Sequence, residues 1–330
     1  MEEKIVRNKR VILASFANEG PVTHDHIQVK ETQFNINGCK QGEVAVKNMW
    51  ISVDPYLRWR MKNVEGAVFQ NFELGQPILS RSVSKIVASA NPQFKEGDIV
   101  LAFSEVAEYA ILPGSGLTKL IDDVDTLPHY LGLLGSSGLT AYIGLMKIGE
   151  LKPGEQVFVS AAAGAVGLVV GQLAKINGCR VVGVTGSDEK VKILKEEFGF
   201  DDAFNYKSET DWDAALTKYF PTGIDIYFEN VGGRMLEAVL NHINTNARIP
   251  VCGMISQYNE DWKQTYGVRN LLNLVGKSAK MQGFIVAHYV DHMDQFREEM
   301  IGYLKQGKLK YRVDAKQGVD SFLEAFNSMF

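Results

Sequence analysis

The apolar positions of this chain follow two different periods, and the change falls between residues 120 and 152. From 10 to 120, short runs rich in β-branched and aromatic residues recur: VILASF, HIQVKET, EVAVKNMWISV, SKIVASA, DIVLAF and EYAIL. Asn37-Gly38, Gln41-Gly42, Glu96-Gly97-Asp98 and Pro113-Gly114 separate them as turn signals. Such runs predict strands, and their number predicts a β-rich domain, a partly closed barrel. SVDPYLRWRM (52–61) breaks the pattern and predicts a short helical turn entered at Pro55, with Ser52 or Asp54 as its cap. At 127–146 the apolar spacing becomes helical but is cut by Gly135-Ser136-Ser137-Gly138, which predicts two helices meeting at a connector.

From 152 onward the pattern alternates. Apolar runs QVFVS, RVVGVT, AFNY, IDIYFENV, ARIPVCG and KMQGFIV predict strands, with helices at 165–177, 188–198, 211–220, 234–242 and 267–275 between them. Strands this apolar, alternating with helices, imply an α/β fold whose parallel sheet is covered on both faces. Gly178 and Gly199 stand where helix C-caps belong. The tail, 291–330, predicts a long helix, a strand at 308–313 and a last helix, packed back on the first domain. The expected division is therefore 1–127 with 291–330, and 128–290.

Length and composition restrict the function. A chain of 330 residues suits two cores. A net charge of −4 gives no reason to expect nucleic acid or an anionic membrane as partner. No apolar run is long enough to span a bilayer, and the charged start MEEKIVRNKR lacks the apolar core of a secretion signal. Cys39, Cys179 and Cys252 are scattered, which argues against disulfides, against structural zinc and for a reducing compartment. His288 and His292, four apart, read as a solvated helix face, since nothing completes a metal site around them.

The candidate chemistry lies after QVFVS, at Ala161-Ala162-Ala163-Gly164-Ala165-Val166-Gly167. Gly164 and Gly167 occupy the second and third positions of a dinucleotide fingerprint, where one lets backbone approach a pyrophosphate and the other lets helix pack on strand. The following helix would point its N–H groups at the phosphates. By itself the motif is weak; a strand before it, an apolar helix after it and a second strand strengthen it. That second strand ends in Gly186-Ser187 with no carboxylate at its tip, and Lys190 follows one helical turn later. This favours a 2′-phosphate and hence NADP over NAD, although Asp188 and Glu189 temper the basic character. Tyr206, Asn230 and the segment from Cys252 to Tyr258, with Ser256, also follow strands and share the edge where open sheets bind ligands.

Taken together, DPYLRWRM (54–61), GLTAYIG (138–144), VSAAAGAVGLVVGQLAK (159–175), EKVKILKEEFGFDDAFNYK (189–207), IDIYFENVGG (224–233) and VCGMISQYN (251–259) resemble the zinc-independent medium-chain dehydrogenase/reductase superfamily. Within it, they resemble the NADPH-dependent alkenal double-bond reductases of plants and the related leukotriene dehydrogenase/prostaglandin reductases. The resemblance covers about 11–326. It implies a GroES-like catalytic domain and a Rossmann domain, with the active site in the cleft between them, in a homodimeric, cytoplasmic enzyme. It implies that Gly164, Ala165, Val166 and Gly167 hold the pyrophosphate, and that Gly186, Lys190 and Tyr206 hold the 2′-phosphate. Asn230, Cys252, Ser256 and Tyr258 would surround the nicotinamide ribose, and Phe284-Ile285-Val286 would set backbone against the carboxamide. Tyr56 matches a substrate-contacting tyrosine.

Two departures are visible. Arg81 stands about where plant members carry a pocket tyrosine; it could receive an anionic part of the substrate or turn outward into solvent. The family's Asn-x-Gly-Lys segment and final strand are not matched, so their cofactor contact is not expected. The implied reaction is reduction of the C=C bond of an α,β-unsaturated carbonyl compound, with Tyr258 and Tyr56 as candidate donors to the developing oxyanion. Rival readings are a quinone reductase of the same superfamily and a non-enzymatic NADPH-binding protein.

Overall fold

The computed structural model of the protein describes residues 3–66, 69–120, 124–261 and 263–330. It divides into two compact units: Met1–Leu131 with Tyr258–Asp261 and Val313–Phe330, and Gly132–Gln257 with Trp262–Arg312.

The first unit is antiparallel. Strands β1 (Ile5–Leu13) and β2 (Ile27–Asn35) pair with Val11 opposite Val29. Strands β3 (Glu43–Ile51), β4 (Leu79–Ser89), β5 (Ile99–Glu105), β6 (Tyr109–Pro113) and β7 (Thr118–Leu120) form a second sheet in the order β6-β3-β4-β5-β7. Alternation along β3 to β6 buries Val44, Val46, Ile86, Val100 and Ala110 together. Between β3 and β4 stands helix α1 (Leu57–Arg60). Leu57 and the following Met61 are fully buried in a second cluster with Val11, Leu13 and Ile78. Each such side chain stabilises the fold by about 1.5–3 kcal/mol. Neither Ser52 nor Asp54 caps α1, contrary to expectation. Backbone turns replace the cap: Leu57 N donates to Asp54 O and Arg58 N to Pro55 O.

The second unit begins with α2 (Ser136–Tyr142), which runs into a wider π turn at Ile143–Ile148. Of the two helices expected at 127–146, the first is instead a 3-10 helix, Val124–Leu131, with Pro128 inside it. The unit continues as β8 (Gln156–Val159), α3 (Ala165–Ile176), β9 (Arg180–Thr185), α4 (Asp188–Glu196), β10 (Asp202–Asn205), α5 (Trp212–Tyr219), β11 (Ile224–Phe228), α6 (Gly233–Leu240), β12 (Ile243–Val251), α7 (Leu272–Gly276), β13 (Lys280–Gly283) and α8 (Met293–Lys305). All six strands are parallel, in the order β10-β9-β8-β11-β12-β13. This is the doubly wound Rossmann order, and it reverses between β8 and β11. Phe158, Val182, Phe204, Tyr227 and Ile249 fill the core beneath it.

The tail is shared. Helix α8 packs in the second unit, with Phe296 edge-on to Tyr142 at 5.7 Å. Helix α9 (Phe322–Asn327) joins the first unit's core through Phe322 and Phe326. The strand expected at 308–313 does not form. Its backbone is taken by a side chain instead: Lys310 N donates to Gln172 Oε1 at 2.7 Å, and Gln172 Nε2 donates to Lys310 O at 3.1 Å. The helix expected at 267–275 is confined to Leu272–Gly276. Upstream, Glu237 accepts from Arg269 N at 2.8 Å and Asn270 Nδ2 donates to Glu237 O at 2.7 Å, so side-chain bonds outcompete the helix ladder.

Candidate active site

In the second unit the candidate residues sit at the carboxyl ends of the parallel strands. After β8 the chain turns sharply, and Ala161 adopts φ = 47°, a left-handed conformation costing about 1–2 kcal/mol for a residue with a Cβ. The turn aims the Ala161 carbonyl at the helix start, where Gly164 N donates to it at 2.9 Å. A Cβ at Gly167 would lie 2.5 Å from that oxygen and 2.7 Å from Ala162 Cα, so only glycine fits there. At Gly164 a Cβ would meet only that oxygen, at 3.2 Å, and the residue is exposed. Gly164 is the N-cap of α3 and brings no side-chain cap. The first-turn N–H groups of Ala165, Val166 and Gly167 have no partner within a helix by geometry. An exposed, uncapped helix start behind a glycine that adds no bulk is a cradle for a phosphate anion.

The tip of β9 lies beside this turn: Ala162 N donates to Val184 O at 3.0 Å. Ser187 caps α4, with its Oγ accepting from Lys190 N at 3.3 Å. Gly186 is covered by Tyr206, since a Cβ there would lie 3.2 Å from the phenol ring and oxygen. The Tyr206 ring is otherwise exposed, and Lys190 is exposed on the helix. Asp188, which tempered the basic reading, has its Oδ1 taken by Asn205 Nδ2 at 2.9 Å. Lys207, missed in the sequence, holds its ammonium 5.9 Å from the Tyr206 ring centre and adds a second cation. Its only sequence signal was adjacency to Tyr206.

At the point where strand order reverses, β8 and β11 are joined by side chains. Asn230 donates its N–H to Ser160 Oγ at 2.9 Å and its Nδ2 to Ser160 O at 2.7 Å. Glu229, fully buried, organises this corner and was also missed. Its Oε1 accepts from Val231 N at 2.6 Å, Gly232 N at 2.8 Å, Tyr227 Oη at 3.0 Å and Ser160 Oγ at 3.2 Å. Burial raises the Glu229 pKa, while the two backbone donors pull it down. Burial first, then Glu229, pushes the Cys252 thiol up to about 12, so Cys252 is a neutral packing group rather than a nucleophile. Ser256 Oγ donates to Val231 O at 2.5 Å, fixing the loop after β12 against the Asn230 turn. β13 ends at Gly283, and Phe284 turns its ring toward Gly144, where a Cβ would lie 2.7 Å from Cζ. Ile285 and Val286 then leave the ladder half-buried.

The remaining candidates belong to the first unit. Tyr56 is half-buried before α1, its ring 5.6 Å from that of Phe69. Burial, reinforced by the charge of Asp54, pushes its hydroxyl up to about 12; the positive charges of Arg60 and Arg81 oppose this. Arg81 lies on β4 between the buried Ser80 and Ser82, on the same face as Leu79, which packs against the cluster that Tyr56 joins. Its charge also holds the half-buried Asp54 lower than desolvation alone would. Tyr258 stands edge-on to Trp59 of α1, ring centres 5.5 Å apart. One helical turn thus carries Tyr56 at its start and packs on Tyr258 through its middle. Among the described residues, no group of three His, Cys, Asp or Glu side chains could hold a metal ion.

Comparison with known proteins agrees with this architecture. Residues 9–120 match the family described as the N-terminal domain of oxidoreductase, and residues 165–305 match the zinc-binding dehydrogenase family. A 2-alkenal reductase (NADP(+)-dependent) of Nicotiana tabacum is 46% identical, covering 98% of this chain and 94% of its own length. The (+)-pulegone reductase of Mentha piperita is 44% identical, over 96% of this chain and 93% of its own. Among solved structures, CurA in complex with NADPH from Vibrio vulnificus superposes with a TM-score of 0.90 at 36% identity, covering 97% of this chain and 95% of its own.

Proposed function

The chain belongs to the zinc-independent medium-chain dehydrogenase/reductase superfamily, and from that premise we propose that it reduces the C=C bond of α,β-unsaturated aldehydes and ketones with NADPH. The observation that carries the reading is the glycine cradle at Gly164–Gly167 beside a β9 tip without a carboxylate, in a chain 46% identical to a 2-alkenal reductase. Gly164 to Gly167 hold the pyrophosphate. Gly186, Tyr206 and Lys190, with Lys207, hold the 2′-phosphate. Asn230, Cys252 and Ser256 line the nicotinamide ribose, and the backbone of Phe284, Ile285 and Val286 meets the carboxamide.

When bound, NADPH supplies the hydride that the β-carbon of the substrate receives. Negative charge then develops on the carbonyl oxygen as an enolate, and hydrogen-bond donors must meet it. Tyr258 and Tyr56 are those donors. With its pKa near 12, Tyr56 keeps its proton across the physiological range. The positive charge of Arg60 stands beside its oxygen, and the phenolic O–H donates to the substrate. The α-carbon takes its proton from water or a tyrosine. Arg81 contacts the substrate near Tyr56.

Lys190→Ala should raise KM for NADPH about tenfold, equivalent to about 1.4 kcal/mol, and leave NADH-supported turnover nearly unchanged. Equal losses with both cofactors would remove the 2′-phosphate assignment. A panel of alkenals, enones and simple quinones, followed by product identification, tests the activity itself. Saturated aldehydes and ketones are expected, and a preference for quinones alone would contradict the reading.

The enzyme acts as a homodimer in the cytoplasm. Three unpaired cysteines suit a reducing compartment, and among the described residues no helix is long and apolar enough to cross a membrane. β13 pairs with β12 alone among the described strands, and the preceding α7 leaves Leu272 78% and Val275 75% exposed. A second copy that pairs β13 and covers these side chains accounts for both. Sedimentation equilibrium should give twice 36.7 kDa, and Leu272→Glu with Val275→Glu should give the monomer. A wild-type monomer at micromolar concentration would exclude the dimer.

A further inference from the structure

Arg58 has the largest side chain among the fully buried residues, and among the described residues no carboxylate pairs with it. Its donors end on neutral oxygens: Nε on Asn259 Oδ1 at 2.7 Å, Nη1 on Ala17 O at 2.5 Å and Nη2 on Gly20 O at 2.8 Å. Gly20 closes the circuit, since its N–H donates to Asn259 O at 2.6 Å. One turn along, Lys62 is 1% exposed and donates to Glu260 O at 2.7 Å. Its ammonium also lies 5.0 Å from the Trp59 ring centre. Two buried cations four residues apart therefore grip Asn259 and Glu260, and Trp59 between them packs on Tyr258.

Burying a guanidinium on neutral acceptors is a poor source of stability, because desolvation offsets most of the gain. Burial lowers both cations, Arg58 to about 10 and Lys62 to about 8. What a guanidinium does provide is direction: a planar fork of donors fixes the acceptors around it. Leu57 and Met61 already supply the apolar burial of α1. The site the fork fixes is the Tyr258–Asp261 segment, which the first unit holds although the chain on either side belongs to the second.

We propose that Arg58 is the positioning residue for Tyr258, clamping its segment through Asn259 onto the helix that follows Tyr56. The proposal rests on the reading of Tyr258 as an oxyanion donor. Lys62 is the second clasp of the same clamp.

The test uses Arg58→Gln and Asn259→Leu in the full-length protein, alone and combined with Tyr258→Phe. Arg58→Gln should lower kcat for an alkenal about 10- to 100-fold while the Kd for NADPH stays within about twofold. Added to Tyr258→Phe, it should lower kcat by less than about threefold, because the group it positions is already gone. Hydrogen exchange at Gly20 and across 258–261 should quicken at least about tenfold without global unfolding. Asn259→Leu removes the acceptor without touching the buried charge, and it should reproduce these effects if Arg58→Gln does not fold. Unchanged exchange in the folded variants, or a full additional loss on top of Tyr258→Phe, would overturn the clamp. Should Tyr258→Phe itself leave kcat intact, the oxyanion reading falls, and hydrogen exchange still decides whether the clamp exists.

Discussion

Gly167→Ala is expected to weaken NADPH binding at least about thirtyfold, or about 2 kcal/mol, and to lower the melting temperature as well. The cause is local. The added Cβ would lie 2.5 Å from Ala161 O, 2.7 Å from Ala162 Cα and 2.9 Å from Ala162 C, all backbone atoms that no rotamer change can relieve. Either α3 moves away from the turn or the turn unwinds, and overpacking of this kind costs about 1–3 kcal/mol. Gly164→Ala separates stability from binding. Its Cβ would face Ala161 O at 3.2 Å from an ordinary extended backbone, so the fold should hold. The same Cβ would stand at the mouth of the cradle, so affinity should fall while the melting temperature barely changes. Isothermal titration with NADPH, beside calorimetric melting of both variants, checks this. Equal destabilisation in both variants, or unchanged affinity in Gly164→Ala, would contradict the assignment.

Tyr258→Phe is expected to lower kcat for an alkenal about 10²- to 10³-fold, the loss seen when one donor to an oxyanion is removed, about 2.7–4 kcal/mol. The Kd for NADPH should stay within about threefold. The substitution removes the hydroxyl and leaves the ring its edge-on packing against Trp59. Stopped-flow single turnover with saturating NADPH isolates the chemical step from product release. A loss confined to NADPH affinity would make Tyr258 a cofactor residue alone. Tyr56→Phe should cost less if Tyr258 is the principal donor.

The alternation from 156 to 283 was enough to predict six parallel strands, because strands buried on both faces must be apolar throughout. The turn at 161–167 was legible for the same reason that it works: small residues are needed where a helix meets a strand closely. What the sequence could not show was competition from side chains. Gln172 takes the backbone at Lys310 that a strand ladder would have used, and Glu237 and Asn241 take the backbone and side chains around Asn270 that a helix would have claimed. The left-handed Ala161 was hidden too, since alanine seldom adopts that conformation and nothing nearby in the chain requires it. Two buried charges carried no signal in the sequence: Glu229 lies at the end of an apolar strand, yet it is buried and binds the turn that carries Asn230. Nothing next to Arg58 in the chain signals its burial, and only long-range folding brings Asn259 to it, 201 positions away.

Hydride delivery to the β-carbon is what separates double-bond reduction from carbonyl reduction. NADPH labelled with deuterium at C4, in the position the enzyme transfers, should be given to the protein with a 2-alkenal and the product read by NMR. A saturated aldehyde with one deuterium on the β-carbon is the predicted result. An allylic alcohol with deuterium on the former carbonyl carbon would contradict it.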